Sequence, residues 1–480
     1  MPATELPSEL PSELPSLCIE RVDARRTAGA AASVSMLQAL REKLSPRGNV
    51  VSPRGRALTE QVFGAALSPV AVVQRVCEDV RTAGTSAVLK YGAAFDKVNL
   101  SRDELRVPAE ALAEAHAAVD PRLLDTIRRI RSNVEVFQKA ILHGDVQISP
   151  RPGVRLWQRY LPLRRIGVCV PGGAAAYPST VLMTVVPAQV AGVDEIAVIA
   201  PPTAFGAYNQ VMLATCHELG IGEVYRVGGA QGIAALAYGC DVIAAVDKIV
   251  GPGNLFVALA KKHVYGTVDI DSFAGPSEVI VIADSTANVE FIAADLLAQA
   301  EHSPGSAILI TWDASLIDRV EAALCRQLAN LQRAALTVES LQAFGAMILV
   351  SDAEQACALS DQFAPEHLHI QTADPQSLLS RIRNSGATFL GDYTPVALGD
   401  YAAGPSHVLP TGGTCTWAAG LSSNSFLRSG SVTEFEPSAL SAIAGDVERL
   451  ASEEGLTAHA RSVSIRREIP TPSEAKRPRA

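Results

Sequence analysis

Apolar residues recur at three- and four-residue spacing from Ser68 to Leu142, the period of helices buried on one face. The spacing predicts helices near 69–91, 109–119 and 121–142. Pro108 and Pro121 suit first-turn positions, where a missing N–H leaves no bond unmade. After Gly153 the pattern changes. IGVCV (166–170), EIAVIA (195–200), EVYRV (223–227) and DKIV (247–250) are short, apolar and β-branched, with helical stretches near 179–190, 209–219 and 230–236 between them. Such alternation implies βαβ units and a parallel sheet. A second set follows: EVIVIAD (278–284) leads to a helix over about 288–302, and AILIT (307–311), AMILV (346–350), HLHI (367–370) and ATFLG (387–391) are further strands with helices between. Beyond about Thr411 the rhythm is lost, and the polar tail reads as a loose end or as an arm laid on a partner. Upstream, 26–61 predicts one short helix between flexible pieces.

Length and composition narrow the function. A chain of 480 residues allows two to four domains, and 48% hydrophobic with 19% charged residues is ordinary for a protein with a large core. A net charge of -9 argues against binding nucleic acid or an anionic membrane surface and leaves small-molecule chemistry. Cys18, Cys77, Cys169, Cys216, Cys240, Cys325, Cys357 and Cys415 stand singly, with no CxxC pair, as expected of reduced thiols in a cytoplasmic protein. The longest apolar stretch, 181–200, is broken by Pro187, Gln189, Asp194 and Glu195, short of the roughly 18 residues a membrane span needs. The opening MPATELPSELPSELPS repeats ELPS to Ser8, Ser12 and Ser16; acidic and Pro-rich, without a basic or apolar region, it reads as a disordered leader and not a signal peptide.

Several segments could carry chemistry. No GxGxxG fingerprint occurs, but VPGGAAAYPST (170–180), VGGAQG (227–232) and GPGN (251–254) are Gly-rich turns after strands. They are either simple tight turns or cradles for a phosphate at a helix N-terminus. In AADLLAQAEHSPG, Gln299 and His302 are three apart and share a helix face, a spacing that presents metal ligands, or a His that caps the helix dipole. In FAPEHLH (363–369), Glu366 and His367 begin a strand and offer two general bases of different pKa, or merely a loop Glu beside an edge-strand His. His369 shares the face of His367, and a structural role outweighs a metal role for it. Asp400 and His407 lie in GDYAAGPSHVLPTGG (399–413), a long loop held by Gly and Pro; Glu454 and His459 lie in the tail, in EEGLTAH (453–459). Gln299, His302, Asp400 and His459 would make a mixed N/O set suited to zinc, although spacing alone does not bring them together.

GPGN, AGPSE (274–278), DLLAQAEH (295–302), APEHL (364–368), GDYAAGPSHVLPT (399–411) and EGLTAH (454–459) occur in the order seen in histidinol dehydrogenases, and VPGG…YPSTVLM (170–183) and GGAQG add to the match. The chain resembles that family over roughly residues 60–465. The resemblance implies an α/β fold of two Rossmann-like, incomplete dinucleotide-fold domains with parallel sheets, a helical N-terminal region and an extended C-terminal arm. The expected boundaries are 1–50 for the leader and a flexible extension, 51–165 for the helical part of the first domain, 166–277 for the NAD-contacting domain, 278–412 for the domain with catalytic and zinc residues, and 413–480 for a dimer-forming arm. It implies NAD-dependent four-electron oxidation of L-histidinol to L-histidine through bound L-histidinal, in a cytoplasmic homodimer with exchanged arms and one Zn²⁺ per subunit. Position by position, Gln299, His302, Asp400 and His459 match the zinc ligands, and Glu366 and His367 the catalytic acid–base pair. Ser277, His407 and Glu454 match substrate contacts, in a substrate site that also takes in the four zinc ligands and His367. Cys169, Gln231 and Asn254 match positions that touch the dinucleotide.

The chain departs from the family pattern at Cys169, where Tyr is usual, at HLH in place of HLE, at PSH before Val408, and over 414–431. A paralogous zinc- and NAD-dependent alcohol dehydrogenase acting on another amino alcohol or diol is one rival reading, and Ser277, His407 and Glu454 weigh against it. A non-catalytic zinc-stabilised assembly protein is another, and the retained Glu366–His367 pair weighs against that.

Overall fold

The computed structural model describes residues 17–44, 53–172, 175–273, 275–302 and 304–468. Its strands, in chain order, begin with β1 (Glu20–Asp23), β2 (Val146–Ile148) and β3 (Val154–Pro162). The first expected run supplies β4 (Arg165–Cys169), β5 (Glu195–Ala200), β6 (Glu223–Arg226), β7 (Lys248–Val250) and the short β8 (Asp269–Ile270). The second supplies β9 (Ser277–Ala283), β10 (Gly305–Thr311), β11 (Ala346–Leu349), β12 (His367–Gln371) and β13 (Ala387–Leu390), and β14 (Leu427–Phe435) comes last.

Two compact units result, one of residues 1–141 and 163–426, the other of 142–162 and 427–480. The first unit holds both parallel sheets. One has the order β6-β5-β4-β7-β8, the other β1-β11-β10-β9-β12-β13. Counted along the chain, β4 to β8 and β9 to β13 each follow the order 3-2-1-4-5, the doubly wound order 3-2-1-4-5-6 without its last strand, with the order reversing beside β4 in one sheet and beside β9 in the other. Alternation along the strands buries both faces of the second sheet. Val279, Val281 and Leu309 pack towards helices Val289–Ala300 and Ala314–Leu328. Ile280, Ile282, Ile308 and Ile310 pack with Met36, Leu37, Leu40 and Phe363 on the other side.

At the switch point of the first sheet, the turn after β7 closes on the end of β4. Gly251 has φ +104, and a Cβ there would lie 2.2 Å from the carbonyl oxygen of Cys169, so only glycine lets the two strand ends meet. The turn is tied down by Asp271, whose carboxylate accepts from Gly251 N–H at 2.6 Å, and by buried Lys261, which bonds both the Gly251 carbonyl (3.0 Å) and Asp271.

The second unit is an antiparallel sheet, β14-β3-β2, with helices Pro437–Glu453 and Thr457–Glu468 packed on each other. No helix among the described residues is long and apolar enough to cross a membrane.

Several expectations need correction. Residues 20–44 are not a flexible extension: Glu20–Asp23 pairs in parallel with Ala346–Leu349 at the sheet edge, and Thr27–Leu44 is an 18-residue helix. A second helix, Pro53–Phe63, follows, where one short helix was expected over 26–61. The helix expected over 69–91 breaks at Gly84, whose φ of 54° and ψ of −134° cannot continue a helix, into Pro69–Ala83 and Thr85–Tyr91. The segment 51–165 is not wholly helical, since β2 and β3 lie within it. The tail is not irregular either: Val432, Thr433 and their neighbours pair along the whole of β3, and two helices follow. Its first part, 413–426, belongs to the first unit. The ELPS leader lies outside the described residues.

Candidate active site

β9 and β12 are neighbours, with His367 opposite Val279. That register brings the amino end of β12, Glu366 and His367, beside the amino end of β9, Ser277 and Glu278. The Glu366 carboxylate accepts a bond from the Ser277 hydroxyl and another, of 3.0 Å, from the Glu278 backbone N–H. His367 Nδ1 lies 3.2 Å from the Glu278 carbonyl oxygen. A carbonyl can only accept, so Nδ1 carries the hydrogen and Nε2 keeps its lone pair. That nitrogen lies 3.8 Å from Asp400 Oδ1, on helix Val396–Tyr401. The Asp400 carbonyl in turn accepts from His407 Nδ1 at 2.8 Å, which assigns the same tautomer to His407. The approach to Glu366 is backbone-determined. Ala364 takes the left-handed conformation (φ 50°), rare for a residue with a Cβ, and a Cβ on Gly386 would come within 2.5 Å of the Glu366 carbonyl.

The second group comes from helix Val289–Ala300, started by Asn288, whose side chain caps Glu290 N–H. Gln299 is 4% exposed, and its amide Nε2 has no hydrogen-bond partner among the described residues. The chain can enter β10 so soon after this helix because Gly305 has no Cβ, which would sit 2.2 Å from the Gln299 carbonyl. His302 occupies the turn between, at the solvent-facing rim.

Burial sets the protonation states. It pushes Glu366 up to about 8, against the two bonds from Ser277 and Glu278, and the neighbouring Asp400 charge adds to the rise. Glu278, fully buried behind it, is likewise pushed to about 8 by burial and then by the Glu366 charge. Burial also lowers His367 and His407, and crowding by protein around its ring lowers His302 although that residue reaches the surface; Asp400 opposes each shift, and all three imidazoles favour the neutral form. The site thus holds two carboxyls reluctant to ionise together and three neutral imidazoles around Asp400.

The two raised carboxyls make a stability prediction. Between the unfolded value near 4.3 and the folded value of about 8, the folded protein holds more protons than the unfolded chain. Stability of the metal-free protein is therefore expected to contain a component that is full at pH 4, declines as pH rises, and is gone above pH 8. Urea midpoints at pH 5.5 and 8 should differ less in Glu278→Gln than in the parent; an unchanged difference would show that Glu278 does not titrate in this range.

Ser277, Gln299, His302, Glu366, His367, Asp400 and His407 thus all come from one unit. Glu454 and His459 belong to the other unit, where both are exposed, Glu454 ending helix Pro437–Glu453 and His459 in helix Thr457–Glu468. The three residues matched to dinucleotide contacts lie at the carboxyl end of the first sheet. Cys169 ends β4 and is buried, its thiol pushed to about 12 by burial. Buried Gln231 lies in the first turn of helix Gly229–Tyr238 and donates to Asp96 at 3.3 Å. Asn254 caps helix Leu255–Val264. His369 is no metal candidate, because its ring is fully buried and bonded to Asp295 and to the Gly391 carbonyl. Sequence reading passed over Glu278 and Asp295. Glu278 adjoins Ser277 in AGPSE, and Asp295 stands four residues before Gln299, so helical period alone puts it on the same face.

The sequence pattern of the histidinol dehydrogenase family matches residues 65–467. A histidinol dehydrogenase of Rhodopirellula baltica is 69% identical over 450 residues, 94% of this chain and 98% of the relative. One of Gloeobacter violaceus is 47% identical over 398 residues, 82% of this chain and 89% of the relative. The crystal structure of histidinol dehydrogenase from Elizabethkingia anophelis superposes with a TM-score of 0.84 at 32% identity, covering 94% of this chain and 99% of that one. With a match along nearly its whole length in both sequence and structure, this chain belongs to the histidinol dehydrogenase family.

Proposed function

We propose that the protein oxidises L-histidinol to L-histidine in two NAD-dependent steps, with L-histidinal held between them, and that Glu366 and His367 are its two bases. The observation that carries this reading is the pairing of Glu366 and His367 at the amino ends of β9 and β12, one a buried carboxyl and the other a neutral imidazole with a free Nε2.

The donor chemistry fits zinc. Gln299 is a buried amide that can offer its Oε1, His302 a neutral imidazole and Asp400 a carboxylate, and His459 would complete a mixed N/O set. Gln299, His302, Asp400 and His459 would hold zinc, which would supply a Lewis-acidic anchor for the nitrogen donors of the substrate. Cys169, Gln231 and Asn254 would lie against NAD, which would supply the hydride acceptor for each step. Ser277, His407 and Glu454 orient the substrate.

In the first step His367 Nε2 takes the hydroxyl proton of the alcohol as its carbon gives up hydride. His367 can do so because Nδ1 is engaged by the Glu278 carbonyl and burial keeps the ring neutral. In the second step Glu366, in its ionised form, removes a proton from water as the water oxygen bonds to the aldehyde carbon. The resulting hydrate anion gives up its hydride to become the carboxylic acid, which loses its proton to solvent and leaves as the carboxylate. The Ser277 hydroxyl and Glu278 N–H hold Glu366 in one orientation, and burial makes its carboxylate more basic than usual.

The arm supports a dimer reading. Helix Thr457–Glu468 has no buried residue, and Leu450 (63% exposed), Val447 and Leu456 leave apolar surface open on this unit. In a homodimer with exchanged arms, Glu454 and His459 of one subunit would serve the site of the other.

Two NADH should form per L-histidinol consumed, with one oxygen of the product taken from water. One NADH per substrate, with free aldehyde accumulating, would overturn the two-step reading, and no NADH at all would favour one of the rivals. Removal of zinc by EDTA should abolish activity and zinc should restore it; His302→Ala and Asp400→Ala should lower the zinc content found by elemental analysis. Full activity in a zinc-free preparation would remove the ligand assignment.

A further inference from the structure

We infer that the buried Asp295–His369 pair is a positioning clamp, which fixes the helix carrying Gln299 and His302 against the strand carrying His367 and so sets the arrangement of the metal-holding groups. The inference rests on the reading of Gln299 and His302 as zinc ligands.

The His369 ring has no solvent exposure and Asp295 is 6% exposed. His369 Nδ1 lies 2.9 Å from Asp295 Oδ2, and Nε2 lies 2.9 Å from the Gly391 carbonyl oxygen. The ring thus reaches the helix through Asp295 and the loop after β13 through Gly391. Gln371 closes the network: its Nε2 donates to the same Asp295 oxygen at 2.9 Å and sits 3.0 Å from His369 Nδ1. The members span three parts of the site's frame. Asp295 is on helix Val289–Ala300, His369 and Gln371 are on β12, and Gly391 follows β13.

The spacing puts this network one level behind the chemistry. Four residues along a helix advance about 6 Å, and two along a strand about 6.6 Å. With Asp295 bonded to His369, the next level on the helix is Gln299 and the next on the strand face is His367. Phe389 spans the two levels, its ring centroid 6.0 Å from that of His367 and 6.4 Å from that of His369. A slide or rotation of the helix that would move Gln299 must therefore break buried hydrogen bonds, and losing one partner leaves a buried polar group unsatisfied. A purely apolar contact between helix and sheet is non-directional and would give no such restoring force.

The test compares His369→Gln, Asp295→Asn and the double variant with the parent and with His302→Ala. Zinc affinity is measured by competition with a chelator, ligand geometry by the visible bands of the Co²⁺-substituted protein, and folding by urea unfolding. Each single variant should bind zinc about 10- to 100-fold more weakly, with shifted cobalt bands. The double variant puts neutral amides at both positions, which can pair with each other, so it should recover folding stability yet keep the weaker zinc affinity and shifted bands. If a single variant does not fold, the double variant decides. A folded double variant with zinc affinity within about twofold of the parent and an unchanged cobalt spectrum would show the pair to be merely structural. His302→Ala separates the two ideas. If it loses zinc while the clamp variants keep it, the clamp alone is wrong; if it keeps zinc, the ligand reading fails.

Discussion

Glu366→Gln should slow oxidation of L-histidinal by about 10²–10⁴-fold, the usual contribution of one general base, and slow oxidation of L-histidinol much less. Only the second half-reaction needs water activated. Gln keeps the shape and can still accept from Ser277 and Glu278, so the loss isolates the carboxylate's proton chemistry from its hydrogen bonds. His367→Asn should slow L-histidinol oxidation by a similar factor, because the lone pair facing Asp400 is lost. Single-turnover rates with the alcohol and with the aldehyde supplied separately make the comparison. Small, equal losses in both halves for both variants would mean that neither residue is the base.

Mixing two dead proteins should produce a live one. A Glu366→Gln chain and a His459→Ala chain are each inactive as homodimers under the exchanged-arm reading. In a heterodimer one site collects both lesions and the other has none. Random reassociation of equal amounts makes about half heterodimers, each with one intact site, so about a quarter of the parent activity should return. If each site takes its His459 from its own chain, every site in the mixture has a lesion and the activity stays at the level of the separate variants.

The polypeptide by itself determined most of the local structure. The apolar run EIAVIA is β5 to the residue, and the helical period of 121–142 is helix Pro121–Ile141. In both, the apolar positions that fix the period also meet the core, so propensity and burial agree. The candidate residues were legible for a different reason: Gln299 with His302 and Glu366 with His367 are close along the chain, and their order among the Gly-rich blocks carries the family resemblance. Tertiary structure decided what depends on distant partners. ERVD has little strand signal of its own and is β1 because the free edge of β11 offers it a parallel ladder more than 300 residues away. The break at Gly84, the strand order and the placing of the bases at the amino ends of β9 and β12 were not readable from periodicity, which says which face is buried but not which neighbour buries it. Nor was the charge state of the site: Glu366 is an ordinary carboxyl in the sequence, and only its removal from water, with the Asp400 charge nearby, raises it to about 8. His369 shows the same limit in reverse. Two residues from His367 and on the same strand face, it is separated from it in role only by Asp295 and the Gly391 carbonyl, which meet it when helix, strand and loop pack together.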